Sequence, residues 1–153
     1  MDDRAVIFQR EAILSPFGAT ILRVMLGVVY IAHAYHAYFD VTPDAMAAMI
    51  TKDLGLPFPD ALIFYLLAAQ LVGGIMLVLG LFSRWAALVN VPVMLVVVLL
   101  LQLNDGFFLR AVIAESSRGK ATVVGYEYSL TILIATIAQF FLGGGTAAMT
   151  KDS

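Results

Sequence analysis

Residues 18–39 read GATILRVMLGVVYIAHAYHAYF, twenty-two positions that are mostly apolar yet carry Arg23, Tyr30, His33, Tyr35, His36 and Tyr38. At about 1.5 Å per residue, a helical run of that length spans the hydrocarbon core of a bilayer. Polar groups inside such a run are costly against lipid, so they turn toward protein or water. The spacing agrees, because Arg23, Gly27, Tyr30, His33 and His36 recur at three or four residues and share one helix face. That face is the first candidate for chemistry.

The whole chain has the character of this stretch. Of 153 residues, 61% are hydrophobic and 13% charged, and the mean hydropathy is +0.93. A soluble domain carries about 25% charge. The apolar residues also fall in long runs, which predicts a polytopic membrane protein whose first partner is the lipid bilayer. The net charge of −2 offers no electrostatic footprint for nucleic acid. The chain contains no cysteine, which removes disulfides, thiolate nucleophiles, iron–sulfur ligation and cysteine zinc sites. Asp2, Asp3, Arg4, Arg10 and Glu11 break up the first seventeen residues, so the first span is expected to act as its own targeting signal.

Four spans are expected, at about residues 18–39, 60–81, 86–103 and 126–142, within a membrane domain over 18–145. The fold class is all-α, a four-transmembrane-helix bundle. Residues 1–17 form a polar, amphipathic N-terminal segment in which Val6, Ile7, Phe8, Ile13 and Leu14 face lipid, and residues 146–153 a C-terminal tail. Ser15-Pro16 reads as the N-cap and first position of span one. Arg23 is shallow enough for its stem to carry the guanidinium out to the interface. Between spans one and two, Thr42-Pro43-Asp44 starts a short surface helix with a stripe of Met46, Met49, Ile50 and Leu54, and Gly55 stops it. Gln70 lies in mid-span two just before Gly73-Gly74, a pair that admits a close neighbouring backbone. Arg84 and Trp85 anchor a tight turn at the interface. Span three contains Asn90 and Pro92, and a kink is expected there. Residues 104–125 read as a loop.

Four spans place both termini on one side. Arg4, Arg10, Arg23, Arg84 and Lys151 then face Lys52, Arg110, Arg118 and Lys120 across the membrane. Five against four points the termini toward the cytoplasm.

The order of these features resembles a known family. Arg23, Gly27 and His33 come first, then Leu54-Gly55-Leu56-Pro57 and the mid-span Gly73-Gly74. Leu79-Gly80-Leu81-Phe82-Ser83-Arg84, Gly106-Phe107-Phe108 and Gly125-Tyr126-Glu127-Tyr128 complete a series similar to that of the DoxX family of four-helix membrane proteins. The resemblance implies a bundle in the bacterial or archaeal cytoplasmic (inner) membrane, working with other membrane redox subunits. Relatives include subunits of thiosulfate:quinone oxidoreductase, and others assemble with sulfurtransferase and superoxide dismutase. Members often have an acid before the mid-span glycines, where this chain has Gln70, and a lysine four residues after the histidine, where it has Ala37. Both departures remove groups suited to thiosulfate chemistry.

Helical rise places His33 about 7 Å and His36 about 11 Å from the centre of span one, on the side of the first loop. Glu127, flanked by Tyr126 and Tyr128, opens span four on that side, and Gln102 ends span three there. The chemical reading is a pocket for a quinone head in the outer half of the bundle. His33 and Glu127 are its candidate catalytic residues, and Tyr30, His33, His36, Gln70, Tyr126 and Tyr128 its candidate binding residues. Histidine donates a hydrogen bond and carries protons near neutral pH, and a half-buried glutamate relays them. The plain structural reading remains open beside it, with His33 bonded to a neighbouring helix, the tyrosines forming an aromatic belt, and Glu127 capping its helix or pairing with Arg110 or Arg118.

No metal site is expected, because no ligand spacing supports one. Haem is disfavoured because His33 and His36 share one helix face and cannot ligate the two faces of one haem. No covalently bound cofactor is expected. Electrons must come from a partner, since the chain has neither CxxCH nor a dinucleotide loop. The competing class is a non-catalytic structural or accessory subunit that fills a groove of a larger respiratory or photosynthetic membrane complex through glycine-rich helix faces. A homo-oligomer is compatible with either. Transport fits less well, as no inverted repeat is visible.

Overall fold

The computed structural model describes residues 3–52, 54–113 and 121–150. The fold is all-α apart from one small hairpin. Its helices are α1 (Asp3–His36), α2 (Pro43–Lys52), α3 (Pro59–Leu79), α4 (Ser83–Val96) and α5 (Glu127–Leu142), with the antiparallel strands β1 (Arg110–Ile113) and β2 (Ala121–Val124) before α5. Among the described residues, three segments are long and apolar enough to cross a membrane, Ser15–Val41, Pro59–Leu79 and Ser83–Asp105. The fourth apolar helix, Glu127–Leu142, is shorter. The polar piece 115–120, including Arg118, lies outside the described residues, as do the side chains expected to face lipid before Ser15.

Three elements differ from their sequence expectations. The first helix does not begin at Ser15-Pro16 but runs unbroken from Asp3 through Pro16. Proline removes one N–H from a helix without preventing its passage where other donors serve the backbone nearby. The carbonyl left without its donor is that of residue 12; Pro16's own carbonyl accepts from the Thr20 hydroxyl and the Thr146 N–H, at 2.9 and 3.4 Å, which ties residue 146 to α1. The third span likewise passes through Pro92 and widens into π-helical turns over Val97–Gln102. The expected loop 104–125 contains the hairpin, whose strands read RAVI and ATVV and draw on β-branched residues.

Helix α1 packs mainly on α3, α3 on α4, and α4 on α5, while α5 returns to α1 and closes the ring. The α1–α3 seam depends on Gly27 and Gly74. A Cβ at Gly27 would stand 2.6 Å from the Gly74 carbonyl oxygen, and one at Gly74 would stand 3.0 Å from that of Gly27. Gly73 faces the other way, where a Cβ would meet Asn90 Nδ2 of α4 at 2.5 Å. The Gly73-Gly74 pair is therefore enclosed within the bundle and offers no face to an outside subunit. Leu26, Tyr30, Leu77, Ala86, Ala87, Met94, Val98 and Leu133 form the core between the four helices. Helix α2 lies against α3 through buried Met46 and Ile50, which meet Ile63.

Arg23 does not run out to the interface as its position suggested. It is 1% exposed and turned inward. Its guanidinium donates to the carbonyls of Leu77 at 2.8 Å and Val78 at 3.4 Å, in the last turn of α3, and to Ala147 at 3.1 Å. A helix C-terminus leaves carbonyls without intrahelical donors, and a planar cation that reaches two chains at once serves them well. Gly80, at φ +73°, ends α3 directly against this side chain, where a Cβ would collide with Arg23 Nη1. Residues 143–150 fold back over this end of the bundle as a strap. The Thr150 N–H donates to the Gly80 carbonyl at 3.1 Å, the Thr150 hydroxyl accepts from Phe82 N–H at 2.8 Å, and Thr146 N–H donates to the Thr20 hydroxyl at 3.1 Å.

Two substitutions test this packing. Gly27→Leu must separate α1 from α3 and is expected to cost about 1–3 kcal/mol in unfolding from micelles. Gly18→Leu, whose Cβ would meet nothing within 4 Å, is the control that leaves stability unchanged. Arg23→Met strands carbonyls of α3 and the strap, with an expected loss of about 3–5 kcal/mol. It should also bring faster proteolysis near residues 143–150 in the folded protein, and unchanged cleavage there would remove the pinning role.

Candidate functional site

At the end of the bundle opposite the strap, all four packed helices contribute to one cavity of about 150 Å³. Helix α1 supplies Tyr30 and His33, α3 supplies Gln70, the wide turn after α4 supplies Gln102, and the first turn of α5 supplies Tyr128 and Ser129. Val29, Met94, Val97 and Ile132 complete its walls. Among the described residues, no Asp, Glu, Lys or Arg lines it.

Each polar group has a definable state. Tyr30 is 1% exposed and its hydroxyl bonds that of Thr136 across the bundle. Thr136 directs its own proton to the Ile132 carbonyl, so Tyr30 is the donor in the pair. Tyr30 thus walls the cavity with its ring, while its hydroxyl proton is already engaged. His33 stands at the exposed margin. Its Nδ1 lies 2.9 Å from the Val29 carbonyl, an acceptor, so Nδ1 carries the proton and Nε2 remains the ring's acceptor. The Tyr128 ring stacks on it at 6.2 Å between centroids and 17° between planes. Gln70 is 5% exposed, yet its Oε1 accepts no hydrogen bond from any described residue, and the same holds for Gln102 Oε1. A buried amide oxygen without a donor costs about 1–3 kcal/mol, which a hydrogen-bonding guest of the cavity would recover.

Of the residues singled out from sequence, Tyr30, His33, Gln70, Gln102 and Tyr128 come together here. The others stand apart. His36 Nδ1 lies 2.7 Å from Asp40 Oδ2, one turn on, and both side chains are exposed. Tyr126 packs its ring on Phe107 at 5.4 Å, and its N–H donates to the Gly106 carbonyl. Glu127 is half-buried next to the cavity but does not line it. Its N–H donates to the Phe107 carbonyl at 3.0 Å, and its carboxylate has no hydrogen bond or ion pair among the described residues. Arg110 instead donates to the Asp105 carbonyl at 2.9 Å.

Ser129 was missed from sequence, although its signal was present. It precedes Thr136 by seven residues, as Arg23 precedes Tyr30 and Ser83 precedes Asn90, and all six side chains are buried. Two helical turns separate residues on one face, so an i, i+7 polar pair in an apolar helix marks the inward side. Among the described residues, no three His, Asp or Glu side chains gather as metal ligands.

The chain's likeness to known proteins bears on this geometry. No curated protein and no solved structure matches it. The family model of DoxX matches residues 18–103, more than half of the chain, taking in α1 from Gly18 onward, α2, α3, α4 and the wide turn with Gln102. The match ends before α5, which brings Tyr128 and Ser129 to the cavity. With its long apolar helices, this makes the protein a multi-pass membrane protein, and the chain belongs to the DoxX family.

Proposed function

We propose that this DoxX protein is a four-span subunit of a membrane redox assembly and that its cavity takes the head of a quinone. The observation that carries the reading is the make-up of the wall, which combines hydrogen-bonding groups with apolar surface and has no charged side chain. An anionic substrate such as thiosulfate would meet no cation there. A neutral, flat head with oxygen at either end suits an apolar slot with a few placed polar groups.

A bound quinone would supply the two-electron, two-proton exchange. The chain's residues would orient it and handle protons. His33 Nε2, left as an acceptor by the Nδ1 bond to Val29, is placed to take a proton at the cavity margin. The Gln70 and Gln102 amides each offer an oxygen acceptor and an NH₂ donor, so they serve hydroxyl and carbonyl oxygens alike. Glu127, half-buried beside Tyr128 and without an ion-pair partner among the described residues, would pass protons between His33 and the aqueous side. Electrons would come from a partner subunit.

Helix α5, sixteen residues and about 24 Å long, would be the fourth span. Local bilayer thinning accommodates the shortfall against about 30 Å of hydrocarbon. The membrane is then the bacterial or archaeal cytoplasmic membrane, with both termini in the cytoplasm and the cavity in the outer half. The accessory-subunit reading has one support fewer, because the glycine faces it would use are enclosed by α1 and α4.

The test is equilibrium binding of a short-chain quinone to the purified protein in micelles. His33→Ala and Gln70→Leu are expected to weaken binding roughly tenfold each, the worth of one buried hydrogen bond. His36→Ala, which breaks only the exposed contact with Asp40, should leave it unchanged. Wild-type affinity in both cavity variants would exclude the quinone pocket.

A further inference from the structure

At the strap end of the bundle lies a second cavity of about 380 Å³, walled by Arg84, Leu142, the run Gly143–Gly145 and two threonines, Thr146 and Thr150. We infer that it is an anion site that takes the phosphate of a phospholipid headgroup. The inference is independent of the quinone reading.

Charge is the first support. Among the described residues, Arg84 is the only ionisable one on this wall, and it has no hydrogen bond or ion pair with any of them. Its Nε is buried and without a partner. A guanidinium with no acid beside it among the described residues favours an anion from outside the chain, and its planar fork matches two phosphate oxygens.

The backbone is the second. Gly144 is buried, and neither its N–H nor that of Gly145 donates to any described residue. Gly145 owes its missing side chain to α1, where a Cβ would meet the Thr20 hydroxyl and the Pro16 carbonyl, while Gly143 and Gly144 add no side chain to the wall. Arg84 also belongs to the first turn of α4, where free N–H groups and the helix dipole favour negative charge. At the opposing end of α5, two carbonyls are engaged by its own chain. Gly143 N–H donates to the Gln139 carbonyl at 2.9 Å, and Gln139 Nε2 donates to the Gly143 carbonyl.

Location selects the source of the phosphate. Exposed Phe82, Trp85, Phe141 and Leu142 surround the cavity, so apolar surface borders the polar wall. Tryptophan beside arginine at a helix start marks the boundary between hydrocarbon and headgroups, the depth at which lipid phosphates lie. The groove between α3 and α4 nearer mid-bundle is lined almost entirely by apolar side chains and suits acyl chains.

The experiment titrates full-length protein in neutral micelles with phosphatidylglycerol, phosphatidylcholine or inorganic phosphate, reading bound lipid by native mass spectrometry and the unfolding midpoint. Saturable phosphatidylglycerol binding with a raised midpoint is expected, weakened roughly tenfold by Arg84→Gln. Arg110→Gln, at the other end of the bundle, should bind as wild type does. Wild-type affinity in Arg84→Gln, or an equal loss in Arg110→Gln, overturns the site. Equally tight binding of inorganic phosphate overturns the lipid assignment. Should Arg84→Gln fail to fold, Arg84→Lys keeps the charge without the fork; it must bind more weakly than wild type, and unchanged affinity overturns the proposal.

Discussion

A guanidinium buried among helix ends organises one half of this protein. Arg23 lies seven residues, about 10 Å, from Tyr30 along an otherwise apolar helix, and it donates to the last turn of α3 and to the returning strap. In hydrocarbon, no solvent is available to satisfy the carbonyls at a helix end. A side chain must do so, and only one with several fixed donors can serve α3 and the strap together. From this follow the close approach at Gly80, the return of residues 143–150 and the turn into α4. The strap in turn supplies the glycine wall of the second cavity.

The other half of the bundle is governed by the same constraint with a different outcome. Polar side chains turn inward on every helix of the ring, and most find partners within their own helix or across it, as Asn90 does at Ala86 and Tyr30 at Thr136. Toward the His33 end the packing opens. Gln70 and Gln102 keep oxygens without donors, and the space between them is the first cavity. A well-packed apolar core fills the middle of the bundle, with Leu77 and Ala87 fully enclosed, so the two cavities belong to opposite ends and to different chemistry. One has no charge on its wall and the other is built around a cation.

Much of this was legible in the residues. Of the face that spacing marked on α1, Arg23, Gly27 and Tyr30 are buried while His33 and His36 are exposed; the surface stripe of α2 buries Met46 and Ile50. Proline positions were less informative. Pro16 suggested a start, but proline states only that an N–H is missing, and the helix continues through it; Pro92 lies inside α4, as the expected third span required. Spacing put His33 and His36, three residues apart, on one face. A rotation of about 300° along the helix put one beside Tyr128 and the other beside Asp40, and only the neighbours distinguish them.

The amino-acid sequence by itself determined the medium and the class of fold, since composition and helical periodicity are local properties of the chain. It also determined which residues carry polarity into the apolar interior. Tertiary structure decided what each of them meets. Arg23 turned inward rather than outward because the ends of α3 and the strap arrive beside it, and Glu127 remained outside the cavity because its neighbours Tyr128 and Ser129 occupy the inward positions of the first turn of α5. These outcomes depend on contacts between residues 54 to 124 positions apart, which no local pattern encodes.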